Sequence, residues 1–92
     1  MNIQKNINNL LQALTLKENY YRINSFKFYS EKNNSYCTKY QILKKIFEEQ
    51  YNVEKDEFEV VERYVIDYEC YSKVDILKYL VEEYKQGSEA NE

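Results

Sequence analysis

The chain has 92 residues and a formal net charge of −3, with 11 tyrosines, one glycine and no histidine, proline or tryptophan. This length fits one domain, and no apolar run approaches the roughly 20 residues that a membrane-spanning helix needs. Without histidine or a Gly-rich loop, the chain lacks imidazole metal ligands, histidine-activated nucleophiles and a phosphate loop. We therefore expect a non-catalytic protein that uses no cofactor and no metal ion.

The residue bias indicates an AT-rich genome. Phe, Tyr, Met, Ile, Asn and Lys, which have AT-rich codons, make up 44 of the 92 residues. This bias points to a low-GC bacterium, its phage or its plasmid. The N-terminal residues lack the basic and apolar segments of a secretory signal, so we expect a protein of the bacterial cytoplasm. There, Cys37 and Cys70 should be free thiols, with a disulfide between them as the less favoured alternative.

The first predicted element is a helix. Apolar side chains recur at helical spacing, at Ile3, Ile7, Leu10, Leu11 and Leu14. Asn2 is an acceptable N-cap, and the polar residues 17–19 should end the helix near residues 15–17.

An aromatic strand should follow at residues 20–29, because aromatic side chains favour extended backbone. The polar residues 30–35 predict a turn. After it, a further short strand at residues 36–37 would pair back onto the first.

A second helix is predicted from the capping box formed by Thr38 and Gln41. Asn52 would end it. Its buried face would carry Leu43, Ile46, Phe47 and Tyr51, with Ile42 beside them.

Residues 58–70 fit two patterns. A strand would place one set of side chains on a single face, namely Phe58, Val60, Tyr64, Ile66, Tyr68 and Cys70. A helix would form an apolar stripe from Phe58, Val61, Val65 and Tyr68. The density of Val, Ile and Tyr favours the strand.

The last predicted element is a helix that begins at a second capping box, formed by Ser72 and Asp75. Gly87 would cap its C-terminal end, leaving residues 88–92 as a polar tail beyond a domain of residues 1–87. The buried face would carry Ile76, Leu77, Leu80, Val81 and Tyr84.

Two segments of the chain resemble one another. Residues 38–51 and 72–85 align without gaps and are identical at six of 14 positions. Either the chain contains two strand-then-helix units, or two amphipathic helices share the same codon bias. Both interpretations predict a small α+β domain of order α-β-α-β-α. Its helices would pack on one face of a two- or three-stranded sheet.

The charge is divided along the sequence. Residues 1–45 carry 8 basic and 2 acidic side chains, and residues 46–92 carry 5 basic and 14 acidic ones. An acidic second half could attract a basic channel. This favours a phage-type inhibitor that binds a host nucleic-acid-handling protein, for example an anti-CRISPR protein. The predicted acidic binding face is Glu54, Asp56, Glu57, Glu59, Glu62, Asp67 and Glu69. The predicted aromatic anchors are Tyr20, Tyr21, Tyr29, Tyr36, Tyr71 and Tyr79.

The basic first half leaves an alternative, a dimeric winged-helix-like DNA-binding accessory or regulatory protein of a plasmid or phage. The sequence pI near 5.1 counts against it, because nucleic-acid-binding domains usually have a high pI. A small virion or assembly protein is a third interpretation, and exposed sheet edges would permit a homodimer. The candidate DNA contacts are Arg22, Lys27, Lys32, Lys39, Lys44 and Lys45.

Overall fold

The chain folds in the order helix, three strands, helix. The computed structural model describes residues 2–90, the last four of them as backbone. Its elements are α1 (Ile3–Leu16), β1 (Tyr21–Ser30), β2 (Ser35–Asn52), β3 (Glu57–Cys70) and α2 (Lys73–Ala90). Within these residues the strands form an antiparallel sheet in the order β1-β2-β3. The predicted α+β class is confirmed, whereas the predicted order α-β-α-β-α is wrong.

Helix α1 begins and ends where the sequence predicts. The Asn2 side-chain oxygen accepts a hydrogen bond from the backbone N–H of Lys5 at 3.1 Å, which satisfies one of the free amides of the first turn. At the other end, Glu18 adopts a left-handed φ of 65°. The N–H groups of Lys17 and Asn19 donate to the Leu14 carbonyl, at 3.0 and 2.9 Å, and this terminates the helix.

Strands β1 and β2 form a hairpin across the predicted polar turn. Their register runs unbroken from the pair Tyr21 and Lys44 to the pair Ser30 and Ser35. The turn ends on Asn34 with a φ of 50°, a conformation that asparagine tolerates well. The short strand predicted at residues 36–37 is confirmed, as the start of a much longer strand.

The helix predicted between Thr38 and Asn52 is wrong, because these residues belong to β2. This strand is central in the sheet and bonds to β1 on one edge and to β3 on the other. A helix here would leave the backbone groups of both neighbours without their common partner. The cost of those unpaired groups outweighs a helical propensity of a few tenths of a kcal/mol per residue.

Strand β3 confirms the strand interpretation of residues 58–70 but contains a bulge at Asp67. The neighbours Ile66 and Tyr68 pair with consecutive residues of β2, so Asp67 is left over. The even-numbered side chains before the bulge, such as Ile66, therefore lie on one side of the sheet, and those after it, such as Tyr68, lie on the other. The prediction that these apolar side chains share one face is wrong for this reason.

Both helices and two strands contribute to the core. Ile42, at the middle of β2, has no exposed surface, and Tyr68 stacks on Tyr79 with ring centroids 4.6 Å apart. Full burial of an aliphatic side chain contributes about 1.5–3 kcal/mol. The buried residues are Ile7 and Leu14 of α1, Ile42 of β2, Cys70 of β3, and Ile76 and Leu80 of α2.

Helix α2 begins at the predicted capping box. The Ser72 hydroxyl oxygen accepts a hydrogen bond from the backbone N–H of Asp75 at 3.2 Å. Gly87 does not end this helix, which continues to Ala90. The predicted polar tail, residues 88–92, lies partly outside the described residues.

The structure also overturns the repeat interpretation. Residues 38–51 lie in β2, whereas residues 72–85 begin just before α2 and continue along it. Ile42 and Ile76, which align in the two segments, are both buried in the core. The shared apolar position therefore reflects a common need for burial in two different backbones, with tertiary contacts deciding between strand and helix.

Candidate interaction surfaces

The β2–β3 hairpin extends beyond the rest of the sheet. The ladder between β1 and β2 ends at Lys44, whereas β2 and β3 stay paired as far as Asn52 and Glu57. We call residues 46–63 the arm. At about 3.3 Å per residue, each of its strands projects roughly 23 Å. The radius of gyration is 17.0 Å, against about 12 Å for a compact chain of this length.

The tip of the arm, residues 51–58, is ordered by its own contacts. The Asn52 side-chain oxygen accepts hydrogen bonds from two backbone N–H groups of the turn, at 3.0 and 3.2 Å. Asp56 closes the turn with a φ of 53°, which aspartate tolerates better than most residues. The rings of Tyr51 and Phe58 meet edge to face across the two strands, with centroids 5.3 Å apart. The tip therefore presents a defined shape.

The arm is strongly acidic. It contains seven acidic and two basic residues, a net charge of −5, which leaves +2 for the other residues of a chain whose total is −3. Arg63 pairs with Glu48 at 2.7 Å, and Lys55 pairs with Glu59 at 3.1 Å. Within the described residues no ion pair involves the acids of the tip, which are Glu54, Asp56 and Glu57.

The seven residues of the predicted acidic face do not form one face. Glu62 is ion-paired with Lys45 at 3.2 Å, and Glu69 with Lys39 at 2.7 Å. The hydrogen bond between Lys39 and Glu69 raises the pKa of Lys39 and lowers the pKa of Glu69. Asp67 is the bulge residue. The four that lie together at the end of the arm are Glu54, Asp56, Glu57 and Glu59.

A second surface is the side of the sheet that faces away from the core. Because side chains alternate along a strand, the partners Ile23 and Ile42 face the core and their neighbours face the opposite way. We call that opposite side the open face. Its large apolar side chains are 39–72% exposed. They are Phe26, Phe28, Phe47, Tyr51, Phe58, Val60 and Ile66.

The sequence did not predict the open face. The predicted helix placed Phe47 and Tyr51 on a buried face, and the predicted unbroken strand grouped Phe58 with Cys70. A solvated side of an antiparallel sheet normally carries polar residues. The exposed aromatic side chains of the open face depart from this pattern.

The charges of the open face cancel. It carries three basic and three acidic side chains, which are Arg22, Lys39, Lys45, Glu49, Glu62 and Glu69. Two cross-strand ion pairs, Lys39 with Glu69 and Lys45 with Glu62, neutralise four of them. The Arg22 guanidinium lies over the Tyr64 ring, 4.3 Å from its centroid, a favourable cation–π geometry.

Two of the predicted aromatic anchors belong to the interior. Tyr21 and Tyr79 pack against the core. The Tyr21 hydroxyl donates a hydrogen bond to Glu83 at 3.1 Å. Burial and the neighbouring Glu83 charge raise the pKa of Tyr21 well above its ordinary value, so this hydroxyl stays protonated to a higher pH than that of an exposed tyrosine.

The other four anchors lie at three separate places. Tyr29 and Tyr36 meet edge to face at the turn between β1 and β2, with centroids 5.4 Å apart. Tyr71 contacts Phe28 edge to face at 6.3 Å, and Tyr20 lies under the Lys45 ammonium at 4.6 Å. The tyrosines therefore do not form one patch.

The structure does not bring together the six basic residues of the DNA-binding alternative. Lys39 and Lys45 are neutralised on the open face, and Arg22 lies on Tyr64. Lys27 and Lys44 lie on the other side of the sheet, and Lys32 is in a turn. A winged-helix-like fold also requires three helices, and the residues predicted to form the second one lie in β2.

Cys37 and Cys70 are free thiols, and burial raises the pKa of Cys70. Across residues 2–90, no group of three or more Cys, Asp or Glu side chains is placed to hold a metal ion. Neither helix, as far as it is described, is long and apolar enough to cross a membrane.

No protein-family model matches the chain, and no curated protein or solved structure matches it either.

Proposed function

We propose that this protein is a non-catalytic binding protein whose acidic arm enters a basic, nucleic-acid-binding groove of another protein. The observation that carries the proposal is the arm itself. It projects roughly 23 Å from the sheet, it has a net charge of −5, and none of its residues belongs to the core. A two-stranded hairpin is only marginally stable in water, so the arm adds little to folding and is available to a partner.

The chemistry of the tip matches that of a groove that holds nucleic acid. Such grooves combine basic side chains, which contact phosphates, with aromatic side chains, on which bases stack. Glu54, Asp56 and Glu57 would meet the basic side chains. Tyr51 and Phe58, which form the aromatic pair behind the turn, would meet the stacking positions. The arm would thus occupy the groove in place of nucleic acid.

In this proposal the protein is a phage-type inhibitor of a host nucleic-acid-handling protein, such as a CRISPR effector. The AT-rich composition supports an origin in a mobile element of a low-GC bacterium. Charge complementarity between an acidic arm and a basic groove would speed association, because opposite potentials steer the encounter. An inhibitor that competes with abundant nucleic acid benefits from a fast encounter.

Displacement of nucleic acid tests this proposal. The probes are a guide-free CRISPR effector, a single-stranded-DNA-binding protein and a bacterial RNA polymerase, each loaded with a fluorescent oligonucleotide. We expect the protein to release the oligonucleotide from at least one of them, with an apparent affinity that falls as ionic strength rises. Fluorescence anisotropy measures the release. No release from any probe at low salt would contradict the proposal, and so would direct, salt-sensitive binding of the protein to free duplex DNA.

A further inference from the structure

The open face exposes a large total area of apolar side chain. Its seven large apolar side chains are 39–72% exposed. Because side chains of this kind offer about 150–250 Å² each, together they expose on the order of 700 Å². The side chains form two groups, because Lys39, Gln41 and Glu69 lie between Phe26 and Phe28 at one end and the other five at the other. One side of a standard protein–protein interface buries about 800 Å², so the open face is close to the size of half an interface.

The charge of the open face selects the kind of partner. Its three basic and three acidic side chains give no net charge. A nucleic-acid partner would require an excess of basic residues. Two copies of a neutral face meet without like-charge repulsion. The pairs Lys39–Glu69 and Lys45–Glu62 are already formed within one chain, which reduces the penalty for burying them.

The outer edge of the sheet is a weaker route to self-association. The edge strand β3 contains the Asp67 bulge, and it carries charged side chains at Glu57, Glu59, Arg63 and Glu69. Bulges and charges are the features by which natural sheets prevent edge-to-edge pairing. On the open face, four of the six charged side chains are already neutralised in ion pairs within the chain.

We infer that a second copy of this chain covers the open face. The two sheets stack face to face, about 10 Å apart, in a two-fold arrangement that brings the same residues together from both copies. Phe47 and Phe58, which are 57% and 72% exposed, provide the aromatic contacts of that interface. This inference goes beyond the proposed function and does not depend on it. The acids of the turn would remain accessible in the dimer, whereas Tyr51 and Phe58 would be buried in it, so entry of the arm into a groove requires the monomer.

Sedimentation equilibrium of the full chain between about 1 and 100 μM tests the inference. We expect wild-type protein to have twice the 11.3 kDa chain mass. The double variant Phe47→Ser/Phe58→Ser should dimerise at least about 100-fold more weakly, because buried aromatic residues dominate interface energies. The matched control is Leu16→Ser/Val74→Ser, which removes two exposed apolar side chains from the helices. That control should remain dimeric, and circular dichroism should show all three proteins folded.

Three outcomes would overturn the inference. The first is a wild-type protein that stays monomeric at 100 μM. The second is a double variant that dimerises as tightly as wild type, which would place the contact at a sheet edge or on the helices. The third is a monomeric wild type that binds a single-stranded oligonucleotide and loses this binding in Phe47→Ser/Phe58→Ser, which would make nucleic acid the occupant of the open face.

Discussion

Replacement of Ile42 with alanine should lower the free energy of unfolding by about 2–5 kcal/mol, the usual cost of truncating a buried isoleucine. Ile42 lies on the central strand with no exposed surface and belongs to the same core cluster as residues of both helices. A chain of 92 residues is stable by only about 5–14 kcal/mol, so this variant should lose a large part of its stability. Urea unfolding followed by circular dichroism measures the change.

The control for this prediction is Ile46→Ala. Ile46 lies in the same strand, but it is partly exposed and belongs to the arm. We expect a loss of about 1 kcal/mol or less, because a half-buried side chain loses less on truncation. The predicted helix would give the reverse order, since it buries Ile46 fully and sets Ile42 beside the buried face. A larger loss at Ile46 than at Ile42 would therefore contradict the strand.

Reversal of the acidic charge of the tip should weaken binding to the groove on the order of 100-fold, mainly through slower association. The variant is Glu54→Lys/Asp56→Asn/Glu57→Lys. Asparagine at position 56 removes the charge and still tolerates the left-handed φ of 53° that the turn needs. The fold should not change, because all three side chains are exposed and outside the core. Stopped-flow association at two salt concentrations measures the effect.

A matched control makes the same change in net charge elsewhere. Glu18→Gln/Glu31→Lys/Glu82→Lys also shifts the charge by +5 but alters a helix end, the first hairpin turn and the surface of α2. We expect its association rate to stay within about threefold of wild type, because exposed charges more than a Debye length from the contact are screened. Equal loss of binding in both variants would show that net charge, and not the arm, drives association.

The elements that the sequence predicts correctly carry their signals locally. Helix α1 has an N-cap at Asn2 and an apolar face that ends with Leu14. Helix α2 has its own cap at Ser72. Strand β1 is aromatic and is followed by a polar turn. Each of these signals acts within a few residues, so it can be read without knowing what the element packs against.

The largest error, at β2, has a long-range cause. Residues 38–51 contain a capping box and helical spacing of apolar residues, but they also fit an extended strand with Ile42 on one side and Phe47 on the other. The choice is made by two neighbouring strands, each of which needs β2 as its hydrogen-bonding partner. Pairing at that distance in sequence has no local signature, so the helical pattern prevailed in the prediction.

The errors about the interaction surfaces follow from this one. Once residues 46–52 are placed in a helix, the arm cannot be foreseen, and Phe47 and Tyr51 are assigned to the core. The bulge at Asp67 adds a second error, because a shift of one residue moves every later side chain to the opposite side of the strand. The acidic tip, in contrast, could be found from the sequence, since Glu54, Asp56 and Glu57 are adjacent in the chain.

The most direct test of the arm's role is amide hydrogen exchange. It is measured on the complex between this protein and whichever host protein it displaces an oligonucleotide from. In the free protein the amides of the exposed turn, residues 53–56, should exchange faster than those of the sheet, because they lie at the surface and two of them are held only by the Asn52 side chain. The proposed function predicts that binding slows exchange at residues 52–59 and leaves the turn at residues 31–34 unchanged. Slowed exchange on the helices or at the first hairpin turn, with none at residues 52–59, would contradict it.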